Sequence, residues 1–149
     1  MAKAINIHGT AIAIGTRGLL FVGPSGAGKS SLALNCLESA RRDGQFAALI
    51  ADDQVFLNNA NGQVVATRPP STAGLIEIRH SGIATIDSIE AAIIHLVILV
   101  VDRQNAERLP PDDEAYDLPI GLSLPLLRIS HDTPSPLTAI IGLRPDLIL

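Results

Sequence analysis

Gly23, Gly28, Lys29 and Ser30 stand in the spacing G-x-x-x-x-G-K-[ST], the form of a phosphate-binding loop. Glycines let a backbone turn tightly and aim successive N–H groups at phosphate oxygens. Pro24, Ser25, Gly26 and Ala27 complete the cradle. Lys29 supplies a mobile point charge for the β- and γ-phosphates, and the Ser30 hydroxyl is a ligand for Mg²⁺. A chance Gly-rich turn would lack the right surroundings. Here an apolar run at 19–22 precedes the pattern and a helix-like run at 31–42 follows it.

Binding a phosphate does not say what becomes of it. Phosphoryl transfer needs a metal and a group that takes the acceptor's proton. Two acidic sites compete for these tasks. Asp52 and Asp53 follow the apolar residues 49–51, and Asp102 follows the apolar run 97–101 in the form of a Walker B element. Adjacent carboxylates favour a bound cation or a partly protonated state. The bland reading is that one Asp caps a turn while the other faces water. His8 reads either as a hydrogen-bonded structural residue or as a proton carrier. Glu77 and Arg79 read equally well as the polar face of an edge strand. His80, His95 and His131 show no metal-ligand spacing and receive no role.

The elements that must position these groups follow from periodicity. Residues 4–8 and 11–14 alternate as two short strands, a Gly-Thr-Arg-Gly turn follows, and 19–22 forms the strand that feeds the loop. Strands packed this closely pair antiparallel, because a parallel pair needs a long crossover. Leu32, Ala33, Cys36, Leu37 and Ala40 make one apolar stripe on the helix, and Arg41, Arg42 and Gly44 suit its end. Strand 47–51 delivers Asp52 and Asp53. Asn61-Gly62 sits between 55–57 and 64–66 as a hairpin signal. Residues 75–79 alternate, and 96–101 is a central buried strand. The acidic, proline-bearing stretch 102–122 reads as a surface loop. Residues 124–129 form a last strand, 138–143 a short helix or strand, and the apolar end 147–149 packs on the body or on a neighbouring chain.

Composition bounds the rest. A chain of 149 residues makes a single domain, 1–149, with a substantial core. Its apolar share of 47% is aliphatic rather than aromatic, which fits a sheet covered by helices. A net charge of −4 speaks against nucleic acid as a partner. One cysteine, Cys36, excludes an intramolecular disulfide and fits a reducing compartment. The first residues carry no signal-peptide core, and no apolar run is long enough to span a bilayer. The expectation is a cytoplasmic chain with no membrane partner.

The segments Ile7-His8-Gly9, 23–30, Ala51-Asp52-Asp53-Gln54-Val55, and Leu75-Ile76-Glu77-Ile78-Arg79 with Gly82-Ile83 together resemble the catalytic domain of HPr kinase/phosphorylase. The likeness covers most of residues 5–110. It implies an α/β phosphate-loop kinase fold, shared with phosphoenolpyruvate carboxykinases, whose mixed central sheet carries antiparallel strands before the phosphate loop. It also implies a short form holding only the C-terminal catalytic domain. The implied activity is ATP- and Mg²⁺-dependent phosphorylation of a serine on an HPr-like phosphocarrier of the phosphotransferase system. Asp52 matches the general base, His8 a histidine supporting that base, and Lys29 the catalytic lysine. Glu77 joins Ser30 on the metal. Arg108 matches a later catalytic arginine, Asp53 and Arg79 stand behind these groups, and Asp102 is left with a structural role. Self-association into a homo-oligomer is compatible with the likeness.

Departures from the family pattern are specific. His80 and Ser81 replace a glycine after Glu-Ile-Arg, and Ser31 replaces an acidic residue. The segment 124–128 carries one arginine where a Pro- and Arg-rich loop serves the reverse phosphorolysis, so that reverse activity is not implied. Kinase action on a small hydroxyl metabolite, and a non-catalytic ATP-sensing module, are the two other readings of the same residues.

Overall fold

The computed structural model describes residues 3–148, so Leu149 of the apolar end lies outside the described residues. Three layers stack on one another. The central layer is a six-stranded sheet built from β2 (Thr10–Ile14), β3 (Arg17–Val22), β4 (Ala47–Ala51), β10 (Leu96–Val101), β11 (Ala115–Leu118) and β12 (Leu122–Ser130). Their order across the sheet is β11-β12-β10-β3-β2-β4. Strands β3, β10 and β12 run parallel, whereas β2 pairs antiparallel with both β3 and β4. The outer pair β11–β12 is also antiparallel, so the sheet is mixed.

Alternation explains the layering. Leu19 and Phe21 of β3, and Ile12 and Ile14 of β2, point to one face. There they meet Leu32, Ala33, Cys36, Leu37 and Ala40 of helix α1 (Lys29–Arg42). Helices α2 (Pro136–Leu143) and α3 (Pro145–Ile148) extend this layer through Leu137, Ile140 and Ile148. The opposite face carries Ala11, Ala13, Leu20 and Val22. It packs on a four-stranded antiparallel sheet, β1 (Ile5–His8), β5 (Gln54–Ala60), β6 (Gln63–Thr67) and β9 (Ala91–Ile94), through Val55, Leu57 and Val64. Both faces of β2 and β3 are therefore dry, which is why those strands consist of aliphatic and small residues.

A separate two-stranded hairpin, β7 (Leu75–Ile78) and β8 (Gly82–Thr85), stands against the end of α1 that carries the glycine-rich loop. Only its base is buried: Ile76 is 1% exposed, whereas Ile83 is 70% exposed. The Asn61-Gly62 signal is realised as the β5–β6 turn, with φ of 54° and 85° at the two positions, the pair of positive values that a type I′ turn requires.

The structure corrects the sequence reading in three places. The first strand leaves its neighbours: β1 pairs with β5, and only β2 pairs with β3. The stretch 102–122 is not wholly loop, because β11 lies within it. Strands β8 and β9 were not expected at all; their residues, Gly-Ile-Ala-Thr and Ala-Ala-Ile-Ile, show no clean alternation of polar and apolar types. Of the two readings of 138–143, short helix or strand, the structure takes the helix.

Candidate functional site

Strand β3 ends at Val22, and the chain turns through Gly23–Gly28 before α1 begins at Lys29. Gly28 is the N-cap residue of α1, with φ at 105° and no side-chain cap, so the first N–H groups of the helix stay open to a ligand. The turn holds itself through the Ala27 N–H, which donates to the Pro24 carbonyl at 3.0 Å. Arg79, just past β7, donates to the Gly26 carbonyl at 3.3 Å and so ties the hairpin to the loop.

Lys29 is buried under this turn. Its amine donates to the carbonyls of Gly23 at 2.9 Å and Pro24 at 3.0 Å, and to His8 Nε2 at 3.1 Å. Burial pulls its pKa below the ordinary lysine range, against the opposing pull of the Asp53 and Asp52 carboxylates. Because Lys29 is a donor only, His8 Nε2 accepts, and the ring proton sits on Nδ1. That Nδ1 faces Asp53 Oδ1 at 3.0 Å. The result is one chain of contacts, Lys29 to His8 to Asp53.

Sheet register creates this chain. His8 of β1 lies opposite Gln54 of β5, and the Gly9 N–H donates to the Asp53 carbonyl at 3.1 Å. Asp53 itself sits at φ 64°, a left-handed value that Asp tolerates better than most residues. This turn swings its carboxylate out toward His8, where it is 71% exposed.

Asp52 does the opposite. It is 8% exposed and accepts three hydrogen bonds: from the Thr10 hydroxyl at 2.9 Å, the Ser30 hydroxyl at 2.7 Å and the Glu77 N–H at 3.1 Å. The expectation was that His8 would stand behind Asp52. The structure pairs His8 with Asp53 instead and fills both oxygens of Asp52 with other donors. Of the two acidic sites it is Asp52, not Asp102, that receives the Ser30 hydroxyl, although Asp102 has the Walker B form in sequence. Asp102 lies at the exposed end of β10, where it accepts from the Gln104 N–H at 3.1 Å and the Asn105 amide at 3.4 Å.

These groups face one cavity of about 440 Å³, whose lining includes His8, Lys29, Ser30, Asp52, Asp53 and Glu77. Ser30 and Glu77 bring oxygen donors to it, a set that suits Mg²⁺ held largely by phosphate oxygens. Arg108 does not join them. It is exposed in the segment between β10 and β11 and does not line the cavity, so the expected catalytic arginine is not brought to the site. At the hairpin tip, His80 takes φ 66°, the conformation that a glycine would take. His131, given no role from sequence, packs against the loop: a Cβ added to Gly28 would lie 3.1 Å from the His131 Cβ. Only the fold reveals that proximity, since positions 28 and 131 lie 103 apart in the chain and share no local pattern.

Among known proteins, the chain is 29% identical over 140 residues to HPr kinase/phosphorylase of Clostridium novyi (strain NT), a match over 87% of this chain and 43% of that protein. It is 30% identical over 139 residues to the protein of the same name from Clostridium kluyveri (strain NBRC 12016), over 87% and 42%. The chain thus spans less than half the length of these curated relatives. A solved structure, the Hpr(Ser) kinase/phosphatase from Coxiella burnetii, superposes with a TM-score of 0.76 at 22% identity and covers 95% of both chains, which establishes the shared fold. The family model described as the HPr Serine kinase C-terminal domain matches residues 1–142, and the chain belongs to that family.

Proposed function

We propose that this chain is an ATP- and Mg²⁺-dependent protein serine kinase acting on an HPr-like phosphocarrier protein. The observation that supports it best is the Lys29–His8–Asp53 chain of contacts set beside the Ser30–Asp52 hydrogen bond in one cavity. The names of the relatives point to the same acceptor.

In this reading Asp53 takes the proton, one residue beyond the Asp52 that the family likeness suggests. A base must have a free, reachable oxygen. Asp53 is largely exposed and has His8 at its back, whereas Asp52 is enclosed and already accepts three donors. The acceptor serine gives its hydroxyl proton to Asp53 as its oxygen attacks the γ-phosphorus. The bond from that phosphorus to the bridging oxygen breaks, and ADP leaves. Lys29 and the open N–H groups at the start of α1 hold the phosphates. Asp52 fixes the Ser30 hydroxyl, and Ser30 and Glu77 would hold Mg²⁺. Bound there, Mg²⁺ would neutralise charge that builds on the phosphate oxygens.

Incubation of the cognate HPr-like protein with the chain, ATP and Mg²⁺, followed by mass spectrometry, should find phosphoserine. Asp53→Asn should lower the transfer rate by about 10²- to 10⁴-fold while nucleotide still binds. Wild-type turnover in that variant would remove Asp53 as the base. No phosphoserine with the wild-type chain would remove the acceptor.

A further inference from the structure

Strands β2 and β4 change register along their length. Ile14, Ala13 and Ile12 stand opposite Ala47, Ala48 and Leu49, but Ala11 stands opposite Ala51, so Ile50 is an extra residue in the ladder. The Gly9 N–H donates to the Asp53 carbonyl at 3.1 Å and keeps to the shifted register. An unbroken ladder would set Thr10 opposite Ala51. The bulge sets it opposite Asp52 instead, and the Thr10 hydroxyl donates to Asp52 Oδ1 at 2.9 Å.

We propose that Thr10 is a positioning residue for the metal ligand Ser30 and acts through Asp52. The inference rests on the reading of Ser30 as a Mg²⁺ ligand given above and deepens it, because it names the group that keeps the Ser30 hydroxyl turned the right way.

Three observations carry it. First, Thr10 and Ser30 donate to the same oxygen. Oδ1 receives both hydroxyls, at 2.9 and 2.7 Å, while Oδ2 receives the Glu77 N–H at 3.1 Å. A carboxylate oxygen has two lone-pair directions, so the two hydroxyls fill Oδ1. Second, Thr10 is polar where its strand is otherwise alanine and isoleucine, and it is 0% exposed. A buried hydroxyl is costly unless it is bonded, so packing alone would favour an apolar residue there. Among the described residues the buried polar or charged side chains are Thr10, Lys29 and Asp52, and all three line the transfer cavity. Third, a hydroxyl has one proton and two lone pairs. With its proton committed to Asp52, Ser30 has only lone pairs left to offer, which is what a hard cation takes. That commitment lasts while Oδ1 faces Ser30. The Thr10 hydroxyl, fixed in the central sheet, opposes any turn of the carboxylate away from it.

Titration of Mn²⁺ into the whole chain saturated with ADP, with the free ion read by electron paramagnetic resonance, tests this beside metal-free ADP titrations. Thr10→Val should weaken Mn²⁺ by about three- to tenfold and leave metal-free ADP affinity unchanged. Thr10→Ser keeps the hydroxyl and should bind Mn²⁺ as wild type does. Ser30→Ala should itself weaken Mn²⁺, and in that background Thr10→Val should add no further loss, since no Ser30 hydroxyl remains to be oriented. Thr10→Ala removes the same hydroxyl and takes the place of Thr10→Val if the valine chain does not fold. Unchanged Mn²⁺ affinity in Thr10→Val would overturn the role of Thr10. So would an equal loss of metal-free ADP binding, a Thr10→Ser chain as weak as Thr10→Val, or the same loss repeated in the Ser30→Ala background. In each of those cases a weakened Ser30→Ala still leaves Ser30 on the metal. If Ser30→Ala binds Mn²⁺ as tightly as wild type, the metal reading of Ser30 falls and the role of Thr10 falls with it.

Discussion

His8 holds Asp53 through Nδ1 at 3.0 Å, and its other nitrogen receives the Lys29 amine at 3.1 Å. The imidazole thus links the group that binds phosphate to the group that would take the proton. His8→Ala should lower kcat by about one to two orders of magnitude. His8→Gln, which can still donate and accept, should recover part of that loss. Steady-state kinetics at saturating ATP decides it: an unchanged kcat in His8→Ala would reduce the histidine to a structural role.

The two adjacent carboxylates should separate cleanly in stability. Asp52→Ala leaves two hydroxyls and one backbone N–H without their acceptor and should cost about 1–3 kcal/mol. Asp53→Ala, at an exposed side chain, should stay within about 0.5 kcal/mol. Urea denaturation of both variants measures the difference, and equal losses would mean that the burial contrast between them has no energetic weight.

Gly28 combines φ 105° with a neighbouring His131 Cβ that an added methyl would meet at 3.1 Å. Gly28→Ala should therefore strain the backbone by about 1–3 kcal/mol and weaken donor binding as the loop shifts. Thermal unfolding and ATP titration of the variant give the two readouts. A variant as stable and as tightly binding as wild type would show that the loop tolerates a different path.

Cys36 lies at 0% exposure against the central sheet, and burial pushes its thiol up from 9.0 to about 12. Below pH 9 the thiol is protonated in both folded and unfolded chains and adds no pH dependence. Between about 9 and about 12 the unfolded chain loses the proton first, so stability falls as pH rises. Lys29, whose pKa is lowered, works in the opposite direction as pH approaches 10.5. Cys36→Ala should remove the thiol's share of the slope, up to about 1.4 kcal/mol per pH unit. Denaturation series at several alkaline pH values compare the slopes. The wild-type thiol should also resist alkylation until the chain unfolds.

Much of this site was legible because its pieces are local. The loop, the start and end of α1, strands β4 and β10, and the Asn61-Gly62 turn each carry their own pattern in consecutive residues. What stayed hidden depends on register between distant strands. Nothing near His8 announces Gln54 as its opposite, so its attachment to Asp53 rather than Asp52 emerges only when β1 and β5 pair. The role of Asp102 was obscured in another way: its sequence form matches a metal-binding carboxylate, while the Ser30 hydroxyl points to Asp52. Strand β8 escaped because Gly-Ile-Ala-Thr lacks alternation, and β11 because it lies inside an acidic, proline-bearing stretch.

Gly9 is the single residue between β1 and β2, yet those strands belong to different sheets. His8 therefore hangs on one sheet, while Thr10 at the start of the next strand grips Asp52 from the other. Prying the sheets apart by even a small slide would dismantle the site before either sheet lost its own ladder. Catalytic competence should then act as a strain gauge for the seam, fading at denaturant concentrations where circular dichroism still reports intact strands.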